Sequence, residues 1–212
     1  MVLVVDYDAG NVRSVETALN YLEADIEISS DPDRLFRADK IIFPGVGQAS
    51  HAMQALRERG LDQAIAAAHH KGTPILGICI GCHILLEHSA EDNTPCLALE
   101  AGSVASLSAE LGKLDGEDQR QYKVPHIGWN QVVPEECPIA ARLFEDIPQN
   151  SSFYFVHSFY PQPDEALILG RTDYGLSFPS VYGREGLAAC QFHPEKSGPA
   201  GLKLLENFLK YF

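Results

Sequence analysis

Cys79 stands between two glycines in Gly77-Ile78-Cys79-Ile80-Gly81, where a buried-looking apolar run from Ile75 gives way to a helix-like one. That placement predicts a strand-to-helix turn that pushes the thiol out of a sheet, with the Ile80 N–H free to face a developing oxyanion. The two glycines leave room for a tight turn and a close backbone approach. A free thiol is only a few per cent thiolate at neutral pH, so a nucleophilic role asks for an imidazole from elsewhere in the chain. Other readings exist: free cysteine is often a small buried hydrophobe, and Cys79 with Cys82 forms the CxxC spacing of redox pairs. No second CxxC or HxxxH accompanies it, which disfavours a structural zinc site.

Of the eight histidines, His126, His157 and His193 lie in strand-like sequence. His193 is the best partner, because in Cys190-Gln191-Phe192-His193-Pro194-Glu195 the proline favours an extended backbone. Residues two apart on an extended segment share a side. Glu195 is therefore expected to fix the His193 tautomer while the other ring nitrogen faces the thiol. A second oxyanion donor must come from another strand end. Pro44-Gly45-Val46-Gly47, directly after an apolar run, suits that role, since glycines let backbone N–H groups approach a substrate.

The elements that must position these groups follow from the hydrophobic pattern. Val2 to Val5 reads as a strand, Asp6 to Gly10 as a turn, and an Asn11-capped helix carries Val12, Val15, Leu19 and Leu22 on one face. Strands near Ile26 to Ile28 and Ile41 to Phe43, with a turn at Asp31-Pro32, suit parallel strands covered on both sides. A helical stretch from Ser50 to His70, broken at Gly60, precedes the Cys79 strand, and a helix is expected to run on through Ile84 to His88. His69 and His70 read as solvated residues of a helix C-terminus.

Beyond a polar stretch from Ser89 to Pro95 the pattern turns β-rich: Gly102 to Ser108, Val124 to Val133, Phe153 to Tyr160, Ala166 to Thr172 and Ser180 to Phe192. Asp115-Gly116 marks an exposed loop or hairpin. Ser197-Gly198-Pro199 opens a last helix with Leu202, Leu205, Phe208 and Leu209 on one face. The expectation is an α/β fold: one domain over residues 1–212, with a central, mostly parallel sheet flanked by helices and antiparallel strands late in the chain.

A formal charge of −13 and a pI near 4.9 argue against a nucleic-acid or anionic-membrane partner, which would need clustered Lys and Arg. The N-terminal stretch lacks a basic region and meets Asp6 too soon for a signal peptide, and no apolar run approaches a membrane span. Five cysteines without framework spacing suit reduced thiols. The expected compartment is the cytoplasm.

With these pieces in order, the sequence resembles the class I, triad-type glutamine amidotransferases, whose signature is a GxCxG elbow followed far downstream by HPE. The chain carries GICIG and QFHPEKS. KVPHIGWN, FYFVHSFY, PGVG and DYDAGNVRSV further resemble the branch that forms the glutaminase subunit of imidazole glycerol phosphate synthase, and the likeness spans essentially the whole chain. The resemblance implies a Cys79, His193 and Glu195 triad that converts glutamine to glutamate and ammonia without metal or cofactor. It also implies a heterodimer with a (βα)8-barrel cyclase subunit that uses the ammonia in histidine biosynthesis. By the same resemblance, Ile80, Gly45 and Val46 hold the oxyanion. Gly47, His83, Glu91, His157 and Ser158 line the substrate pocket, and Asn11, Trp129 and Asn130 meet the partner.

Two positions depart from the family pattern. Cys82-His83 stands where the family usually has methionine and glutamine, which implies weakened rather than abolished substrate binding, and Asp8 stands where it usually has glycine. Rival readings are a paralogous glutaminase that supplies another synthase, for instance one aminating a sugar, and a regulatory subunit without catalysis.

Overall fold

The computed structural model describes residues 1–8, 11–114 and 121–212. Part of the Asp6 to Gly10 turn and the Asp115-Gly116 loop therefore lie outside the described residues. Among the described residues the main sheet has eight strands. In chain order these are β1 (Val2–Val5), β2 (Ile26–Ser29), β3 (Lys40–Gly45), β4 (Ile75–Cys79), β9 (Val133–Pro134), β12 (Ile168–Asp173), β13 (Ser177–Arg184) and β14 (Leu187–Cys190). Their spatial order is β2-β1-β3-β4-β14-β13-β12-β9. The first five are parallel. The last three pair antiparallel, as the late change of pattern foretold.

The described residues also form two smaller sheets. One joins β8 (His126–Gln131) to β10 (Ser152–His157), and the other orders β11 (Phe159–Pro163), β7 (Gly102–Ser106), β5 (His88–Ser89) and β6 (Thr94–Pro95). Helices flank the main sheet: α1 (Val12–Tyr21), α2 (Pro32–Arg37), α3 (Ala49–Glu58), α4 (Leu61–Lys71), α5 (Ile80–Ile84), α6 (Leu107–Leu111), α7 (Pro138–Leu143) and α8 (Gly198–Tyr211).

The continuous apolar runs are strands because both of their faces are covered. Alternate residues of β1 and β3 divide between two cores, Val4 and Ile42 facing α1 and α8, and Leu3, Val5, Ile41 and Phe43 facing α3 and α4. Each apolar helix stripe supplies the matching surface: Val15, Ala18 and Leu19 of α1, and Leu204, Leu205 and Phe208 of α8.

Several local readings are corrected. Asp31-Pro32 opens α2 rather than a turn, because the Asp31 carboxylate accepts the Asp33 N–H at 2.9 Å and Pro32 occupies the first helical position. Asn11 starts α1 in a left-handed conformation (φ 83°) without a side-chain cap bond. The helix after Cys79 stops at Ile84, and His88 begins β5. Ser180 to Phe192 is two strands, which turn at Gly186 (φ 78°). His69 is not solvated: its Nε2 lies 2.9 Å from Arg184 and 3.7 Å from Glu100.

Candidate active site

Parallel pairing sets Gly45 of β3 beside Cys79 of β4, so two adjacent strands end at the same level. Cys79 has φ 54° and ψ −108°, a conformation a non-glycine residue adopts only under strain. The strain is held by close packing that only glycine permits. A Cβ on Gly81 would sit 1.9 Å from the Phe43 carbonyl oxygen, and one on Gly77 would meet Leu85 Cδ1 at 2.7 Å. Neither glycine has a positive φ. Their value is therefore room for the helix to lie against the strand ends rather than turn geometry. Gly45 belongs to the strand, so Val46 and Gly47 (φ 95°) form the part of the loop free of it.

His193 and Glu195 reach the same place from the end of β14. Glu195 Oε1 lies 2.8 Å from His193 Nδ1, and both side chains are fully buried. The geometry differs from the expected extended segment: Glu195 lies in a 3₁₀ turn, Pro194–Lys196, that folds its carboxylate back onto the ring. The turn is clamped to β10, since the His193 N–H donates to the Tyr154 carbonyl at 2.9 Å and the Tyr154 N–H donates to Ser197 Oγ at 2.9 Å. Helix α8 packs so tightly here that a Cβ on Gly201 would lie 1.9 Å from the Pro194 carbonyl oxygen.

His193 Nε2 faces Cys79 and has no hydrogen-bond partner among the described residues. Burial alone disfavours the imidazolium, but the neighbouring Cys79 and Glu195 groups outweigh it and raise the His193 pKa above its ordinary 6.5. The arrangement sets a thiol, an imidazole and a carboxylate in series, the order in which a nucleophile, its base and an orienting carboxylate would stand.

A cavity of about 400 Å³ opens at Cys79 and His193 and is lined by Val46, Gly47, Ile80, His83, Glu91, Pro125, Val156, His157, Ser158 and Phe159. Every residue assigned from sequence to the pocket is therefore on its wall. The side chains differ in what they have free. Glu91 accepts the Ala49 N–H at 2.8 Å, tying the start of α3 to the site, and burial raises its pKa. His157 is occupied at both nitrogens: Nδ1 donates to the Phe159 carbonyl at 2.8 Å and Nε2 meets His126 Nδ1 at 2.9 Å. Burial pushes its pKa down to about 3 and that of His126 to about 4, so both rings are neutral. His157 is thus a fully bonded wall residue rather than an acid or base.

The three residues assigned to a partner surface separate. Trp129 is exposed, at 59% of its surface, and packs edge-on to Tyr154. Asn130 points inward, donating to the Asp173 carbonyl at 2.9 Å. Asn11 also points inward, and its amide donates to Glu195 Oε1 and lies 3.4 Å from His193 Nδ1. The sequence held no signal that Asn11 would join the triad carboxylate, because its partner is 184 residues away. Cys79 and Cys82 are free, buried thiols, and burial pushes the Cys82 pKa well up, away from redox reactivity.

Over residues 3–211 the chain matches the glutamine amidotransferase class-I family. It belongs to that family. Within it, the chain is 47% identical over its full length to the imidazole glycerol phosphate synthase subunit HisH of Maridesulfovibrio salexigens, covering 97% of that protein. It is 46% identical to the same subunit of Desulfovibrio desulfuricans, covering 94%. Among solved structures, a crystal structure of a glutamine amidotransferase superposes with a TM-score of 0.71 at 20% identity, covering all of this chain and 98% of that one. PurLQS from Thermotoga maritima superposes at 0.69 and 20%, covering 99% of this chain and 97% of that one. Both share the fold of this amidotransferase.

Proposed function

We propose that this amidotransferase is the glutaminase subunit of an imidazole glycerol phosphate synthase, the whole chain serving as one glutaminase domain. The observation that carries the chemistry is the strained Cys79 at the cavity floor with His193 and Glu195 in series behind it. The names borne by relatives at 46–47% identity support the histidine pathway over a sugar-aminating synthase.

In this reading Cys79 Sγ, as thiolate, attacks the side-chain amide carbon of glutamine. The carbonyl oxygen becomes an oxyanion facing the Ile80 N–H and an N–H of the Gly45-Val46 segment, each such donor contributing about 3 to 4 kcal/mol. His193 Nε2 then gives its proton to the departing nitrogen, and collapse of the tetrahedral intermediate leaves a γ-glutamyl thioester and ammonia. Water, deprotonated by the now neutral His193, attacks the thioester, releasing glutamate and restoring the thiolate and imidazolium. Glu195 holds the Nδ1–H and keeps Nε2 towards the sulfur.

Ammonia would pass to a (βα)8-barrel cyclase subunit bound as a heterodimer in the cytoplasm, with exposed Trp129 on the docking face. No described helix is long and apolar enough to cross a membrane. The test is covalent trapping. A glutamine-like electrophile should label Cys79, located by peptide mass spectrometry, and excess glutamine should protect it. Labelling elsewhere, or none, would overturn the assignment.

A further inference from the structure

Two buried polar side chains beside the nucleophile have no part in the triad. His83 is only 2% exposed and Gln191 not at all. His83 Nε2 meets Gln191 Oε1 at 2.7 Å, and Gln191 Nε2 stands 4.0 Å from Cys79 Sγ. An amide carbonyl can only accept, so the ring nitrogen facing it must carry the hydrogen. Burial lowers the His83 pKa to about 4, which keeps the ring neutral. The proton is then on Nε2, and Nδ1 is left as an acceptor with no partner among the described residues.

The same bond fixes the amide. With its oxygen held by His83, the other end of Gln191 can present only N–H donors to the sulfur. Burying an amide and an imidazole among apolar residues is costly unless both are paired, and here one bond pairs them and aims the remaining donor.

Building on the glutaminase reading, we propose that Gln191 is a positioning residue for the nucleophile, its amide aimed at Cys79 Sγ by His83. The departure from the family's usual glutamine at position 83 then has a physical meaning. A ring with two side-chain torsions replaces a chain with three, and a neutral imidazole with its hydrogen on Nε2 admits one orientation of Gln191, whereas a glutamine amide, having both a donor and an acceptor end, admits two. Gln191 stands at the Cys79 sulfur before substrate arrives, so it bears on the chemical step rather than on glutamine affinity.

The experiment compares wild type, Gln191→Leu, His83→Leu, the double variant and His83→Gln. It reads the rate of Cys79 carboxamidomethylation by iodoacetamide at one pH, located by mass spectrometry. It also reads kcat and KM for glutamine hydrolysis in the complex with the cyclase subunit. Gln191→Leu and His83→Leu should each change the alkylation rate about tenfold and lower kcat about tenfold, with the KM of Gln191→Leu within about twofold, because a hydrogen bond to the sulfur is lost. The double variant should add nothing, since each change removes the same aimed donor. His83→Gln, which can still donate to the Gln191 carbonyl, should restore most of the wild-type alkylation rate.

A merely structural pair would lower thermal stability without this pattern. Alkylation and kcat within twofold of wild type in Gln191→Leu, or additive losses in the double variant, would overturn the proposal. Should Gln191→Leu not fold, Gln191→Met and His83→Leu carry the same comparison. Failure of the glutaminase reading would look different: wild type itself would not be labelled at Cys79 by the glutamine-like electrophile.

Discussion

Replacing Glu195 by glutamine keeps the shape of the side chain and removes its charge. Glu195 Oε1 accepts from both His193 and Asn11, while Oε2 has no partner among the described residues. A glutamine can therefore leave its carbonyl oxygen in place and put its amide nitrogen where nothing is bonded. What is lost is the attraction between carboxylate and imidazolium. Both side chains have 0% exposure, so solvent does not screen the pair. With charge centres about 4 Å apart and an effective dielectric constant of about 20, that attraction is about 4 kcal/mol, equivalent to roughly a thousandfold in rate if the imidazolium feels all of it in the transition state. Part of it is already felt in the resting site, so the expected fall in kcat for Glu195→Gln is about a hundredfold to a thousandfold. Glutamine hydrolysis should be followed in the complex with the cyclase subunit, with ammonium-dependent synthesis as the control for an intact partner. A kcat within threefold of wild type would refute the reasoning, because it would mean that Glu195 does not stabilise the charged ring.

Asn11→Ala removes a hydrogen bond to the same carboxylate and should lower kcat about tenfold, with little change in thermal midpoint; an unchanged kcat would mean that the bond does not orient Glu195. Gly81→Ala forces a methyl group against the Phe43 carbonyl oxygen and should cost about 1 to 3 kcal/mol of stability while slowing Cys79 alkylation, both measurable on the purified chain. His83, His126 and His157 have native pKa values of about 4, 4 and 3 against an ordinary 6.5. Well above pH 6.5 they are neutral folded or unfolded and contribute little pH dependence. As pH falls from about 6.5 towards 4, the unfolded chain takes up protons that the folded chain refuses, so stability should be lost across that window. Urea unfolding at pH 7 and pH 5 checks this, and His126→Phe should show a shallower loss.

The α/β architecture was legible because parallel strands covered on both faces leave continuous apolar runs, as in Ile75 to Ile78, and helices leave one-sided stripes, as in α8. Cys79, His193 and Glu195 were legible through local spacing. The precise cause of that spacing was not: Glu195 meets His193 through a 3₁₀ turn, and the glycines around Cys79 serve backbone contact with Phe43 and Leu85. The contacts of Asn11 with Glu195 and of Gln191 with Cys79 were invisible because each partner is distant in sequence, 184 and 112 positions away. Helix ends were misread where tertiary pairing outweighed local preference. Ile84 to His88 has helical character, yet His88 is recruited into a strand by pairing with Pro95 and Ser103.

In the proposed function Cys79 releases ammonia from glutamine, and the downstream chemistry belongs to another subunit. The direct measurement is product formation by the Cys79→Ser complex with each of two nitrogen sources. Synthesis from glutamine should vanish while synthesis from an ammonium salt stays at the wild-type rate. Equal loss with both sources, or glutamine-dependent synthesis that survives the substitution, would contradict it.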